Sequence, residues 1–230
     1  MGGQAGVKMR TFKQIYAMAA KEKGGEKALE ALLPKPKTPA ALAKIPDDRW
    51  LSQATQCVFN AGFNWRVIEN KWPDFEKAFA GFQPKRWAVM SDDDLDKLLK
   101  NAAIVRNAAK IKSVAGNARL MLELAKEHGS AAKAFADWPG EDLIGLFEMM
   151  KKRGERLGGN TGQMFMRFMG KDGFVFSGDV VKALIREGVV DKEPTSKADL
   201  KAAQDAFNTW AKESGRPLMQ ISRTLAASVG

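Results

Sequence analysis

Residues 157–162, Leu157-Gly158-Gly159-Asn160-Thr161-Gly162, carry the strongest chemical signal in this chain. Glycines let a backbone approach a partner closely and turn several amides in one direction. Followed by a helix start, such amides make a concave anion site suited to a phosphate. Lys151, Lys152, Arg153, Arg156 and Arg167 crowd around the hairpin, and a cation-rich turn suits a sugar-phosphate strand. An ordinary helix–helix turn that needs glycine for geometry is the competing reading. The whole-chain charge points toward the first: 37 Lys and Arg against 27 Asp and Glu leave a net +10. Such an excess favours a polyanionic partner through counterion release, although charge alone names no ligand.

Scarcity removes other chemistries. Cys57 is the only cysteine and His128 the only histidine. One cysteine forms no intrachain disulfide, which fits a reducing, cytoplasmic compartment. A protein zinc site needs about four donors, drawn mostly from Cys and His, so neither zinc nor another cofactor is expected. Cys57 has no histidine near it in sequence to generate a nucleophilic thiolate. No apolar run reaches the roughly 20 residues that span a bilayer, so no membrane partner is expected. The opening residues 1–6 read as a flexible leader or a cloning remnant, and Gly6 stands where a myristoylation signal has Ser or Thr.

The elements that must position these groups are helical throughout. Helical spacing of Phe12, Ile15 and Ala19 predicts a helix over 11–31. Three prolines within 33–39 break it into a linker. Asp47 or Asp48 caps the next helix, which carries Trp50, Leu51, Ala54, Val58 and Ala61. Ser91 followed by three aspartates is a helix start whose carboxylates sit at the positive end of the dipole. The stripe Ile111, Val114, Ala115, Ala118, Leu122 and Ala125 predicts a longer helix with Lys110, Lys112 and Arg119 on its outer face. Beyond Pro139, Leu143 to Met150 and 164–169 flank the glycine-rich break. Helices over 180–186, 198–213 and 218–227 complete the set, and Phe174-Val175-Phe176 is too short to build a sheet. The reading is an all-α fold, with an N-terminal extension and proline-rich linker over 1–46 and the main domain over 47–230.

Two sets of motifs match known families. The hairpin, together with 173–184, resembles the helix-hairpin-helix DNA glycosylase superfamily, in which the hairpin clamps DNA while a flipped base enters a pocket between two closely packed helical lobes. Superfamily members that cleave the strand carry a Lys at the start of the second hairpin helix. Asn160, Thr161, Gly162 and Gln163 occupy that region here, which argues against a lyase. More narrowly, 60–65 (Asn-Ala-Gly-Phe-Asn-Trp), 73–75, 78–84, 104–111 and Asn117-Ala118 are similar, in order and spacing, to DNA-3-methyladenine glycosylase I.

That resemblance implies base excision, the hydrolysis of the bond joining a 3-methyladenine-like alkylated base to deoxyribose in double-stranded DNA, by a monomer. It also implies that Trp65 stacks on the extruded base, an arrangement suited to a cation over an indole face. The alternative for Trp65 is a core tryptophan. Tyr16, the only tyrosine, is a candidate second wall, and Asn60 and Cys57 complete the candidate base pocket. The family places a Glu eight residues before the tryptophan, where this chain has Cys57, and the family's zinc ligands are missing. Asp179 is the candidate catalytic carboxylate, with a helix cap as its alternative role. Lys151, Lys152, Arg153, Arg156, Gly158, Gly159, Asn160, Thr161 and Gly162 are the candidate DNA contacts. Two functions therefore stay open: a monofunctional glycosylase, or a non-catalytic relative that recognises damaged or distorted DNA.

Overall fold

The computed structural model describes residues 9–229, so the leader read at 1–6 lies outside them. The described residues form α-helices joined by short turns, with no strand. In chain order the helices are α1 Phe12–Glu22, α2 Glu26–Glu30, α3 Pro39–Ala43, α4 Asp47–Asn60, α5 Trp65–Ala78, α6 Pro84–Trp87 and α7 Asp92–Lys100. They continue with α8 Ala108–His128, α9 Ala131–Asp137, α10 Leu143–Arg153, α11 Asn160–Met169, α12 Gly178–Arg186, α13 Lys197–Ser214 and α14 Leu218–Ala227. Side-chain caps start many of them. Thr11 and Ser91 form capping boxes, and Thr38, Asn64, Asn107, Ser130, Ser177 and Ser196 each accept from a first-turn amide, satisfying donors that the helix itself cannot.

The chain divides into two compact units. One comprises Lys37–Trp138 and Gly145–Lys171. Its centre is α4, which packs against α8 and α11. Trp50, fully buried, stacks on Phe135 at 4.9 Å, and Phe165 meets both rings edge-on. Truncating a core tryptophan of this kind costs roughly 3–5 kcal/mol. A second aromatic cluster (Phe59, Trp72, Phe75, Phe79, Phe82 and Trp87) holds α5 and the following turns against α4. The Asp47 carboxylate accepts from the amides of Ala131 and Ala132 at 3.1 and 3.0 Å and so ties the start of α9 to the start of α4.

The other unit joins residues up to Pro36 with Pro139–Ile144 and the chain from Asp172 onward. Here α1 packs on α13 and α14, and α12 packs on α14. Phe174 stacks on Phe207 at 4.2 Å, and the Trp210 indole donates to the Arg10 carbonyl. Glu187 is fully buried and accepts from Arg10 and from Arg186. Asp172 accepts from the first two amides of α14.

Several sequence expectations are drawn differently. Asp47 and Asp48 lie in the first turn of α4 and do not cap it, since its N-cap is Pro46 and no side chain caps the helix. The helix over 11–31 is two helices, because Gly24 and Gly25 take φ of 84° and 123° between them, a region glycine enters without steric cost. The division into compact units falls after Pro36, ten residues before the boundary read from sequence. Lys110, read as an outward-facing cation, is 6% exposed.

Candidate functional site

The C-terminal end of α4, the turn after it and the start of α11 enclose a cavity of about 210 Å³ within the Lys37–Lys171 unit. Its lining includes Cys57, Asn60, Phe63, Trp65, Thr161 and Phe168. This is smaller than the roughly 300–1,000 Å³ of clefts for drug-sized ligands, a size class suited to a single heteroaromatic base. The sequence builds it locally. α4 ends at Asn60, Gly62 turns the chain at φ 74°, and Asn64 caps α5 by accepting from the Arg66 amide. Phe63 and Trp65 are thereby left at the surface, each 42% exposed. Phe168 of α11 meets the Trp65 ring edge-on at 5.5 Å. Trp65 is thus a cavity wall and not a core tryptophan.

Lys110 of α8 anchors the turn. Its Nζ donates to the carbonyls of Phe59 at 3.1 Å and Ala61 at 2.6 Å, and lies 4.6 Å from the centre of the Phe63 ring. The ammonium satisfies carbonyls at the end of α4 and complements the negative end of its dipole. Burial, and then the charge of Arg156, lower the Lys110 pKa from its ordinary value. Sequence reasoning quoted this lysine within a matched motif but placed it on the wrong face. Its partners are carbonyls some 50 residues away, which no helical period reveals.

The polar groups at the cavity are neutral. Cys57 is buried, and burial pushes its thiol up to about 12, opposed only by a contact from Gln53 Nε2 at 3.7 Å. Asn60 is 6% exposed, and its Oδ1 accepts no hydrogen bond. A buried acceptor left unpaired is costly, so it marks either a strained site or one waiting for a donor. No Asp or Glu stands among the lining residues.

The hairpin between α10 and α11 has the form read from sequence. Gly159 and Asn160 are exposed. Gly159 precedes α11 with φ 58° and ψ −138° and makes no side-chain cap, which leaves first-turn amides for a ligand. Gly162 is required by space: a Cβ there would stand 2.3 Å from the Leu157 carbonyl oxygen. Asn117, fully buried on α8, holds the hairpin by donating to the Glu155 carbonyl and accepting from its amide at 3.1 and 2.8 Å. Lys151, Lys152 and Arg156 are exposed, and Gly158 and Thr161 are half-buried beside them.

Some candidates fall elsewhere. Arg153 is engaged: its guanidinium donates to Glu127 at 2.6 Å and to Glu123 at 3.0 Å, so it pins α10 to α8 and does not present a free charge to a phosphate. Tyr16 is absent from the cavity lining. It lies on α1 in the other unit, donates to Glu30 at 2.6 Å and packs under Arg216. Asp179 likewise lies in that unit, in the first turn of α12, where Ser177 is the cap and Asp179 pairs with Lys182 at 3.1 Å. It serves neither as the cap nor as a cavity group. Among the described residues no cluster of three His, Cys, Asp or Glu is placed to hold a metal ion. No helix among them is long and apolar enough to cross a membrane.

Comparison with known proteins bears on the same region. The sequence profile of the methyladenine glycosylase family matches residues 47–189. DNA-3-methyladenine glycosylase 1 of Escherichia coli is 33% identical over 64 residues, 28% of this chain and 34% of that protein. The chain therefore aligns to about a third of that relative's length. Among solved structures, 3-methyladenine DNA glycosylase I from Staphylococcus aureus superposes with a TM-score of 0.50 at 22% identity, over 60% of this chain and 80% of that one. The 8-oxoguanine DNA glycosylase of Methanocaldococcus jannaschii superposes with a TM-score of 0.54 at 13% identity, over 92% and 89% of the two chains. These superpositions establish the helical fold.

Proposed function

The chain belongs to the methyladenine glycosylase family, and on that premise we propose that it is a DNA glycosylase of base excision repair. It acts as a monomer on duplex DNA and hydrolyses the N-glycosidic bond of an alkylated base turned out of the helix. The observation that carries this reading is the aromatic cavity opening beside the uncapped start of α11, within one compact unit. An exposed hairpin amide row suits a phosphate, and a base-sized hollow walled by Trp65, Phe63 and Phe168 suits the nucleotide that phosphate carries. Extrusion costs a few kcal/mol, least where pairing is already damaged, and stacking in the cavity offsets it. Release of free base from alkylated duplex DNA, resolved by chromatography, tests the reading directly. Methylated duplex that yields no free base above the spontaneous rate refutes it.

A second reading has a specific observation in its favour. The cavity presents a protonated thiol where the family has a carboxylate. A chain that kept clamp and cavity but lost the chemistry would bind damaged duplex more tightly than intact duplex and release nothing. The same assay, run beside a binding measurement, separates the two.

A further inference from the structure

The cavity is electrostatically opposite to what a cationic base would favour. An adenine alkylated on a ring nitrogen while still attached to its sugar carries a positive charge. Among the described residues no carboxylate lines the cavity, Cys57 contributes an uncharged thiol, and the Lys110 ammonium lies 4.6 Å from the centre of the Phe63 ring that forms one wall. Asn60 also lines the cavity, and its buried Oδ1 accepts no hydrogen bond, which leaves it free to pair with an amino group if the side chain turns toward the cavity. The aromatic walls alone attract a cation, and an ammonium in a low-dielectric surround opposes it.

Resting on the glycosylase reading above, we infer that the Cys57–Asn60–Trp65 cavity is matched to the base after its charge has gone, and so favours departure of the base over its residence as a cation. The electron count supports this assignment. The bond between C1′ and the base nitrogen breaks heterolytically, both electrons pass to the base, and the base becomes neutral while the sugar becomes an oxocarbenium ion. Water then adds to C1′ and gives its proton to solvent. A pocket that holds the neutral base better than the cationic one gains affinity along that path, and only interactions that strengthen toward the transition state raise the rate. Cys57 and Lys110 thereby set charge preference, and Lys110 does so as a positioning residue that touches no substrate.

The test uses the full chain and two small probes that share ring and amino group. 9-Methyladenine is neutral, and 3,9-dimethyladeninium is a fixed cation. Calorimetric titration of the unaltered protein is expected to favour the neutral probe by about tenfold or more. Cys57→Glu restores a carboxylate and is expected to reverse or abolish that ranking, while tightening binding to methylated duplex and slowing single-turnover base release. Cys57→Ser keeps the original ranking. If Cys57→Glu does not fold, Asn60→Asp places a carboxylate in the same cavity and is read in the same way. Equal or tighter binding of the cation by the unaltered protein overturns the inference, and so does failure of both probes to bind. A neutral-first ranking with no base released from methylated duplex leaves the charge preference standing and removes the excision reading.

Discussion

Gly162→Ala is the sharpest probe of the hairpin, because the structure supplies the perturbation in ångströms. The added Cβ would stand 2.3 Å from the Leu157 carbonyl oxygen and 3.1 Å from Met150 Cε. Ordinary van der Waals contact begins at 3.4 Å, so the turn must open by about 1 Å, against a backbone atom of a buried residue that has nowhere to retreat. Overpacking of this kind costs roughly 1–3 kcal/mol. Alanine at the third position of α11 returns up to about 1 kcal/mol of helix propensity. The net expectation is a loss of about 1–2 kcal/mol, or roughly 2–8 °C in Tm for a chain of this size. The same displacement moves the α11 amides off their line to a phosphate, so duplex affinity at fixed salt falls by about tenfold. Circular dichroism melting and fluorescence anisotropy with a labelled duplex read the two effects. Gly178→Ala serves as the control, since nothing lies within 4 Å of its added Cβ. Unchanged melting and unchanged affinity in Gly162→Ala would show that the hairpin is slack, and the argument for a built anion site would fail.

Other expectations can be checked together. Lys151→Ala combined with Arg156→Ala should weaken binding to all duplexes and reduce the salt slope by about 2. Arg153→Ala should instead lower the melting temperature with little change of slope, because its charge is spent on Glu123 and Glu127; a full unit of lost slope would show that it meets phosphate. Trp65→Ala should remove the preference for damaged over intact duplex while leaving intact-duplex affinity near its original value, as measured by competition anisotropy. Glu187→Ala removes the buried acceptor of Arg10 and Arg186, both of which keep contact with solvent, and should cost about 1.5–3 kcal/mol in chemical denaturation. In acid, Asp94, Glu30 and Glu127, held below the usual carboxylate range chiefly by hydrogen bonds from Arg86, Arg216 and Arg153, contribute stability that is present above about pH 4 and lost as pH falls. A melting temperature that stays level from pH 5 to pH 2.5 would contradict that assignment.

What the sequence disclosed follows from what is local. The helix start at Ser91 was legible because that serine caps through an amide three residues away, and the hairpin was legible because glycine is demanded by nearby backbone; the caps Ser177 and Ser196 follow the same local rule but were not read. The motif series implies a base pocket at Trp65, and in the structure Trp65 lines a cavity. Long-range pairings were not legible. Arg153 looked like one of several equivalent cations, and only the folded α8 shows two carboxylates waiting for it. Tyr16 was proposed on aromatic character alone, yet its hydroxyl is committed to Glu30. Lys110 obeyed the amphipathic pattern poorly because it is a buried cation paired with carbonyls, a role that hydropathy counts as an error. The short helix α9 went unread although Ser130 caps it through the Lys133 amide three residues on; its further tie to Asp47, 84 residues earlier, is the part that no local pattern shows.

The placement of the lone thiol has a consequence for survival of the protein itself. Small electrophiles that methylate DNA also attack sulfur, and they do so through the thiolate. Cys57 belongs to α4 and lines the cavity with only 4% of its surface exposed, and burial raises its thiol pKa. A chain proposed to act on alkylated DNA thus carries its one thiol in the protonated form, which such electrophiles attack slowly.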